Sequence, residues 1–232
     1  MRNIKGFSLI EILVVTVVII ILSATSVFYL LPQRRQIKSD DTARAVFNTM
    51  RQARILSITR RLYYAVVINK NETEQSLTLN NSNISLKFPA NSVSLVNMGL
   101  LSAQNDEKIQ NVTIYPKDVM INPSPSLDYP IPAASNFPTL ESGFPTAAFP
   151  SNLFVCYFDP SGRALDRAQE NGNQIYRTFY FCPQAEKAGG TGPNKLSVAT
   201  VEALTRAITL YGASGGVNFW RYEQNTWKTS RQ

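Results

Sequence analysis

Hydrophobic residues are concentrated in one long run near the start of the chain. Between residues 7 and 31 only six positions are neither aliphatic nor aromatic, namely Ser8, Glu11, Thr16, Ser23, Thr25 and Ser26. As an α-helix rising ~1.5 Å per residue, this run reaches roughly 37 Å, enough to cross a hydrocarbon layer of ~30 Å. A secretory signal peptide has a shorter apolar stretch, about 7 to 15 residues, followed by its cleavage site. The pattern therefore predicts a transmembrane helix at residues 7–31.

In the next segment, apolar residues recur at the spacing of an α-helix and polar residues lie between them. Apolar or small residues recur every three or four positions, at Ala43, Val46, Phe47, Met50, Ala53 and Ser57, with charged residues between them. This predicts an amphipathic helix over residues 32–62 that packs on a sheet.

From residue 63 to residue 232 the pattern is typical of β-strands. Runs of β-branched and aromatic residues predict strands at 63–68, 76–79, 84–88, 92–96, 112–115, 119–121, 153–158, 175–181, 207–211 and 217–222. We expect 63–68 to pair with 76–79, and 207–211 with 217–222, each as a hairpin. Residues 123–150 hold seven of the thirteen prolines, which predicts a long loop or insertion. The fold class is therefore α+β, with one long helix on an antiparallel sheet.

The amino-acid composition restricts the classes of function that the protein can have. The chain has 23 Lys and Arg against 16 Asp and Glu, and no histidine. The missing histidine removes the usual general base near neutral pH and the commonest metal ligand. With no nucleophile motif or metal cluster either, we expect neither an enzyme nor a cofactor or metal site.

The two cysteines, Cys156 and Cys182, allow two interpretations. In an exported protein they could form one disulfide, which the chain-entropy model values at roughly 3 to 4 kcal/mol for a loop of this size. The alternative is a pair of buried free thiols on neighbouring strands.

The apolar run contains one carboxylate, Glu11, whose charge is unfavourable inside a membrane. A charge near the bilayer centre costs at least ~2.5 kcal/mol, and less toward the ends, so such residues usually have a partner and a role. Glu11 lies about one helical turn after Phe7, near the expected membrane boundary. This acid and the polar start at residues 1–6 argue against a plain membrane anchor.

The run Lys5-Gly6-Phe7-Ser8-Leu9-Ile10-Glu11 resembles the type IV prepilin superfamily, which includes pilins and the pseudopilins of type II secretion. The resemblance implies that residues 1–6 are a leader, cut after Gly6 by a prepilin peptidase that also methylates Phe7. It also implies that Glu11 pairs with the terminal amine of an adjacent subunit during filament assembly. The implied location is the bacterial inner membrane, single-pass with a periplasmic globular domain, and then a filament of pilins or pseudopilins.

Residues further along the chain resemble particular subfamilies of this superfamily. Arg51 to Arg54, the run 158–163 (Phe-Asp-Pro-Ser-Gly-Arg) and the closing hairpin 208–222 look like pseudopilin H and FimT-type minor pilins. The first hypothesis is a structural minor pilin or pseudopilin. The alternative is a DNA-binding minor pilin for DNA uptake, in which Arg221, Lys228 and Arg231 contact nucleic acid among aromatic residues. The turn at 215–221 lacks the first arginine of the FimT-type DNA-binding motif, and such strands more often pack their aromatics and solvate their charges.

Overall fold

The chain folds as two compact units, Met1–Ile37 and Lys38–Gln232. The computed structural model describes residues 9–79, 85–100, 108–116, 119–121, 153–166, 172–183, 204–223 and 226–229, without the side chains of residues 25–33, 35, 36, 120 and 183. The proline-rich stretch predicted at 123–150 lies outside the described residues. The architecture is α+β, an N-terminal helix with antiparallel sheets, as the sequence pattern predicts.

Helix α1 spans Leu9–Arg60. Glu11 lies in its first turn and Arg60 in its last, so both charges complement the helix dipole. The helix ends at Arg61, whose φ of 53° is in the left-handed region that commonly follows a helix C-terminus. In the second unit, one face of α1 is buried through residues at helical spacing: Ala43, Val46, Phe47, Met50 and Ala53.

Twelve strands are described. In chain order they are β1 (Tyr63–Asn69), β2 (Gln75–Thr78), β3 (Ser85–Phe88), β4 (Ser92–Gly99), β5 (Lys108–Ile114), β6 (Val119–Ile121), β7 (Leu153–Phe158), β8 (Ala164–Leu165), β9 (Arg177–Pro183), β10 (Arg206–Tyr211), β11 (Gly216–Glu223) and β12 (Thr226–Thr229). The first sheet has the order β5-β4-β1-β7-β8 and the second the order β12-β11-β10-β9-β6, while β2 and β3 form a separate ribbon. The strand pairs are antiparallel throughout.

One predicted hairpin is correct and the other is wrong. β10 and β11 pair as expected, from Arg206 opposite Arg221 to Tyr211 opposite Gly216. β1 does not pair with β2, because it lies between β4 and β7 in the first sheet. All seven residues of β1 are buried, as in a central strand covered on both faces. The polar β2 pairs with β3 instead.

The two faces of the first sheet belong to different cores. One core joins α1 to both sheets and includes Met50, Tyr64, Phe158 and Ile208. The other lies on the opposite face of the first sheet, where the β2–β3 ribbon contributes Leu77 and Phe88. The alternation along β1 sends Tyr64 into the first core and Ala65 into the second.

The turn after β7 is held by a single carboxylate. Asp159 Oδ1 accepts hydrogen bonds from the backbone N–H groups of Ser161 (3.0 Å) and Arg163 (2.9 Å) and from the Ser161 hydroxyl (2.7 Å). Its Oδ2 accepts from Arg163 Nε at 2.7 Å and lies 2.7 Å from Arg163 Nη2. Burial raises the pKa of Asp159, but these hydrogen bonds and the Arg163 charge outweigh it, so the pKa lies below its ordinary value.

Two glycines bring this turn against the tip of the β10–β11 hairpin. A Cβ on Gly215, where φ is +60°, would lie 1.8 Å from the carbonyl oxygen of Gly162. A Cβ on Gly162, where φ is +83°, would lie 2.6 Å from Cδ1 of Ile58 on α1. The last turns of α1, the first sheet and the second sheet therefore meet at a contact that only glycine permits.

Candidate assembly site

The described start of α1 is apolar around its whole circumference and exposed. Every residue from 9 to 24 is exposed, and the large apolar side chains among them are between 46% (Val17) and 81% (Leu9) accessible. Even a polar side chain is satisfied within the helix, since the Thr16 hydroxyl donates to the carbonyl of Ile12 at 2.7 Å. A helix that is apolar all round is stable only in lipid or against other protein surfaces.

Glu11 is the only ionisable residue in this part of α1. Its carboxylate is exposed, and no ion pair joins it to any described residue. Gly6 and Phe7, the predicted cleavage and methylation residues, lie outside the described residues. The structure therefore places the predicted assembly carboxylate at the start of an apolar helix, with its charge available to another molecule.

A second cluster fixes α1 where the globular unit begins. The Ser39 hydroxyl is shared between the carbonyl oxygens of Phe181 (3.3 Å) and Leu204 (3.2 Å). Asp40 accepts a hydrogen bond from Nε of Arg206, whose side chain is 3% exposed. Because Arg206 and both partners of Ser39 lie in the second sheet or just before it, Ser39 and Asp40 tie the helix to that sheet.

Arg221, a predicted nucleic-acid contact, lies at the same cluster. Its Nη2 is 3.7 Å from Oδ2 of Asp40, and its guanidinium carbon is 6.0 Å from the centroid of the Phe219 ring. Lys228 lies 3.8 Å from a carboxylate oxygen of Glu223. The third predicted contact, Arg231, lies outside the described residues. The two described cations thus have carboxylate neighbours within the fold.

The aromatic residues around them contact one another. Trp227 lies 5.3 Å from Tyr222 and 6.2 Å from Tyr180, measured between ring centroids. The indole N–H of Trp220 donates to the Thr209 hydroxyl at 2.9 Å. These contacts support the packing interpretation of the C-terminal aromatics, because rings engaged in this way are not presented as a row of stacking platforms.

Of the two interpretations of the cysteines, the structure contains the buried free thiols and not a Cys156–Cys182 disulfide. Both residues are buried free thiols, Cys156 on β7 in the first sheet and Cys182 on β9 in the second. Burial raises the pKa of the Cys156 thiol to about 12 and that of Cys182 to about 11. The expectation of buried free thiols is therefore confirmed, but their placement on neighbouring strands is wrong, because the two strands belong to different sheets.

The comparison with protein families bears on the N-terminus. Residues 1–27 match the family described as the prokaryotic N-terminal methylation motif. This supports a type IV prepilin-like protein. The motif implies processing by a prepilin peptidase, assembly with other pilins, and a membrane-anchored protein of the cell envelope.

No significant match was found among curated proteins or among solved structures.

Among the described residues, no helix meets both the length and the apolarity required to cross a membrane.

Sequence reasoning missed the Asp40–Arg206 pair. Its two members are 166 residues apart, and nothing in the local pattern around either residue links them. The available signal was Arg206 itself, an arginine directly before the apolar run of β10, because a buried arginine requires a carboxylate.

Proposed function

We propose that this prepilin-like protein is a structural filament subunit, a minor pilin or H-type pseudopilin, and not an enzyme. The observation that supports it most is the exposed start of α1, which is apolar on all faces and carries a single carboxylate in its first turn. Such a helix needs an apolar environment, which a membrane supplies before assembly and a bundle of like helices supplies afterwards.

Storage precedes assembly in this proposal. Residues 7–31 span the inner membrane once, and the globular unit lies in the periplasm. The positive residues on both sides of the span do not decide the orientation, because a large domain is translocated largely regardless of local charge. Removal of residues 1–6 then frees a new amine at Phe7.

Glu11 sets the register of assembly. Its carboxylate pairs with the amine of Phe7 on an adjacent subunit, which neutralises two charges that would otherwise be buried in an apolar helix bundle. Most of the assembly free energy comes from helix packing, while a misaligned neighbour leaves an unpaired buried charge, which costs several kcal/mol. The pair therefore selects the correct alignment of subunits, because every misaligned arrangement leaves a buried charge unpaired.

The first test is the intact mass and N-terminal sequence of the protein recovered from membranes of its native host. We expect a chain that starts at Phe7 and carries one added methyl group. A chain that keeps Met1 in cells whose prepilin peptidase is active would reduce α1 to an ordinary anchor and refute the proposal.

The second test separates register from insertion. Glu11→Ala should leave membrane insertion unchanged and reduce incorporation into filaments, measured by immunoblot of sheared filaments against the membrane fraction. Thr16→Ala is the matched control in the same helix, since its hydroxyl is already satisfied by Ile12. Incorporation of the Glu11 variant at the level of the Thr16 variant would contradict the pairing mechanism.

A further inference from the structure

Three cations form a row across the second sheet. Arg206 on β10 lies opposite Arg221 on β11, and Arg221 lies opposite Lys228 on β12. Directly opposite residues of antiparallel strands point to the same face, with strands ~4.8 Å apart. Like charges in this arrangement are destabilising unless anions offset them.

A fourth cation adjoins the row from α1. The guanidinium carbon of Arg44 lies 5.7 Å from the centroid of the Phe219 ring, the same ring that Arg221 approaches. The spacing of Asp40 and Arg44 on the helix would allow an ion pair. Among the described residues no such pair is present, because Asp40 is bound to Arg206 and faces Arg221. We call Arg44, Arg206, Arg221 and Lys228 the basic ledge.

Within the part of the chain that the structure describes, the basic ledge has more cations than carboxylates. Its four cations face two carboxylates there, Asp40 and Glu223. Asp41 is exposed and lies about 100° further around the helix. The Nε–H group of Arg221 is buried and donates no hydrogen bond to any described residue. A site with this surplus has room for an additional acidic group.

We propose that the basic ledge binds an acidic segment of a different subunit in the same filament, an inference that rests on the proposed function. Access favours a protein side chain over a nucleic acid. The side chain of Arg206 is 3% exposed and that of Arg221 is 32% exposed, while Lys228 is 49% exposed. A narrow carboxylate can enter from the Lys228 end, whereas a duplex backbone would need cations exposed along its path.

Two other occupants are less suitable. A lipid headgroup layer, like a duplex backbone, would need cations that are exposed, whereas the Arg206 side chain is 3% exposed. A second copy of this chain is also basic, with 21 Lys and Arg against 16 Asp and Glu once residues 1–6 are removed, and would be repelled.

The test measures the binding of a labelled oligoglutamate peptide to the full chain in zwitterionic detergent at low salt, by fluorescence anisotropy. The double variant Arg44→Gln with Lys228→Gln should bind about tenfold more weakly, since exposed charge pairs contribute up to ~1 kcal/mol each. The control is Arg60→Gln with Arg61→Gln, two exposed cations beyond the basic ledge. It removes the same charge and should change the affinity by less than about twofold. Melting temperatures establish that all variants fold.

Several results would overturn the proposal. These are no peptide binding to the unaltered chain, equal losses in both double variants, or tighter binding of anionic phosphatidylglycerol vesicles or duplex DNA at the same charge concentration. In the host, the Arg44 and Lys228 double variant should still begin at Phe7 but be depleted from filaments. Failure of the unaltered chain to be processed would count against the proposed function and not against the basic ledge.

Discussion

The substitution Gly215→Ala tests the contact between the two sheets. The new methyl group would lie 1.8 Å from the carbonyl oxygen of Gly162 and 3.3 Å from Cδ of Arg54. Left-handed backbone at a residue with a Cβ costs roughly 1 to 2 kcal/mol, and forcing extra volume into a packed site costs about 1 to 3 kcal/mol. Because the first clash is with backbone, the neighbouring turn must move, and we expect a total loss of about 2 to 4 kcal/mol.

The assay is thermal unfolding of the full chain in detergent, followed by circular dichroism in the β-sheet region. For a protein of this size, the expected loss corresponds to a fall in Tm of roughly 5 to 15 °C. Gly216→Ala is the matched control in the same hairpin, because its Cβ would meet only the Ser214 hydroxyl oxygen, at 3.0 Å. Equal melting temperatures for the two variants would refute the account of this contact.

Three further predictions concern buried charged and thiol groups. Asp40→Asn breaks the pair with the buried Arg206 and should lower the free energy of unfolding by about 3 to 5 kcal/mol in urea titrations, whereas Asp41→Asn, an exposed neighbour, should change it by less than about 0.5 kcal/mol. Similar losses in both variants would contradict the role of the pair. Since the pKa of Asp159 lies below its ordinary value, its contribution to stability is present above the unfolded-state pKa and is lost as the pH falls through the folded-state pKa. Asp159→Asn should therefore flatten the fall in Tm on acidification, and unchanged pH profiles would argue otherwise. Both thiols should resist iodoacetamide near neutral pH in the native chain, because burial keeps each pKa high, and both should react after unfolding without reductant. A chain that takes up no label when unfolded would instead contain a disulfide.

The sequence was most informative where the physical cause is local. The helix over residues 38–60 follows from apolar spacing, and the β10–β11 hairpin follows from two apolar runs around a glycine-rich turn. β8 and β12 were not predicted, since β8 has two residues and β12 is a short, mostly exposed edge strand. The alternation of apolar and polar residues cannot identify strands that are this short or this exposed.

Pairing between distant segments was harder to predict. The hairpin between β1 and β2 was expected because the segments are adjacent, but the continuous apolar run of β1 fits a position between two strands better. The same limit applies to the cysteines, because the sequence does not indicate which sheet holds each residue. At the candidate assembly site, Glu11 could be singled out from the sequence because its charge interrupts an apolar run, whereas the basic ledge depends on strand register.

The attachments at Ser39 and Asp40 also determine the order in which the globular unit can fold. Ser39 binds carbonyl groups 142 and 165 residues further along the chain, and Asp40 pairs with a residue 166 positions away. Contacts of such long range close large loops and slow folding. The beginning of the globular unit therefore cannot reach its native state until β10 has formed and docked, so its first residues and its second sheet must complete folding together.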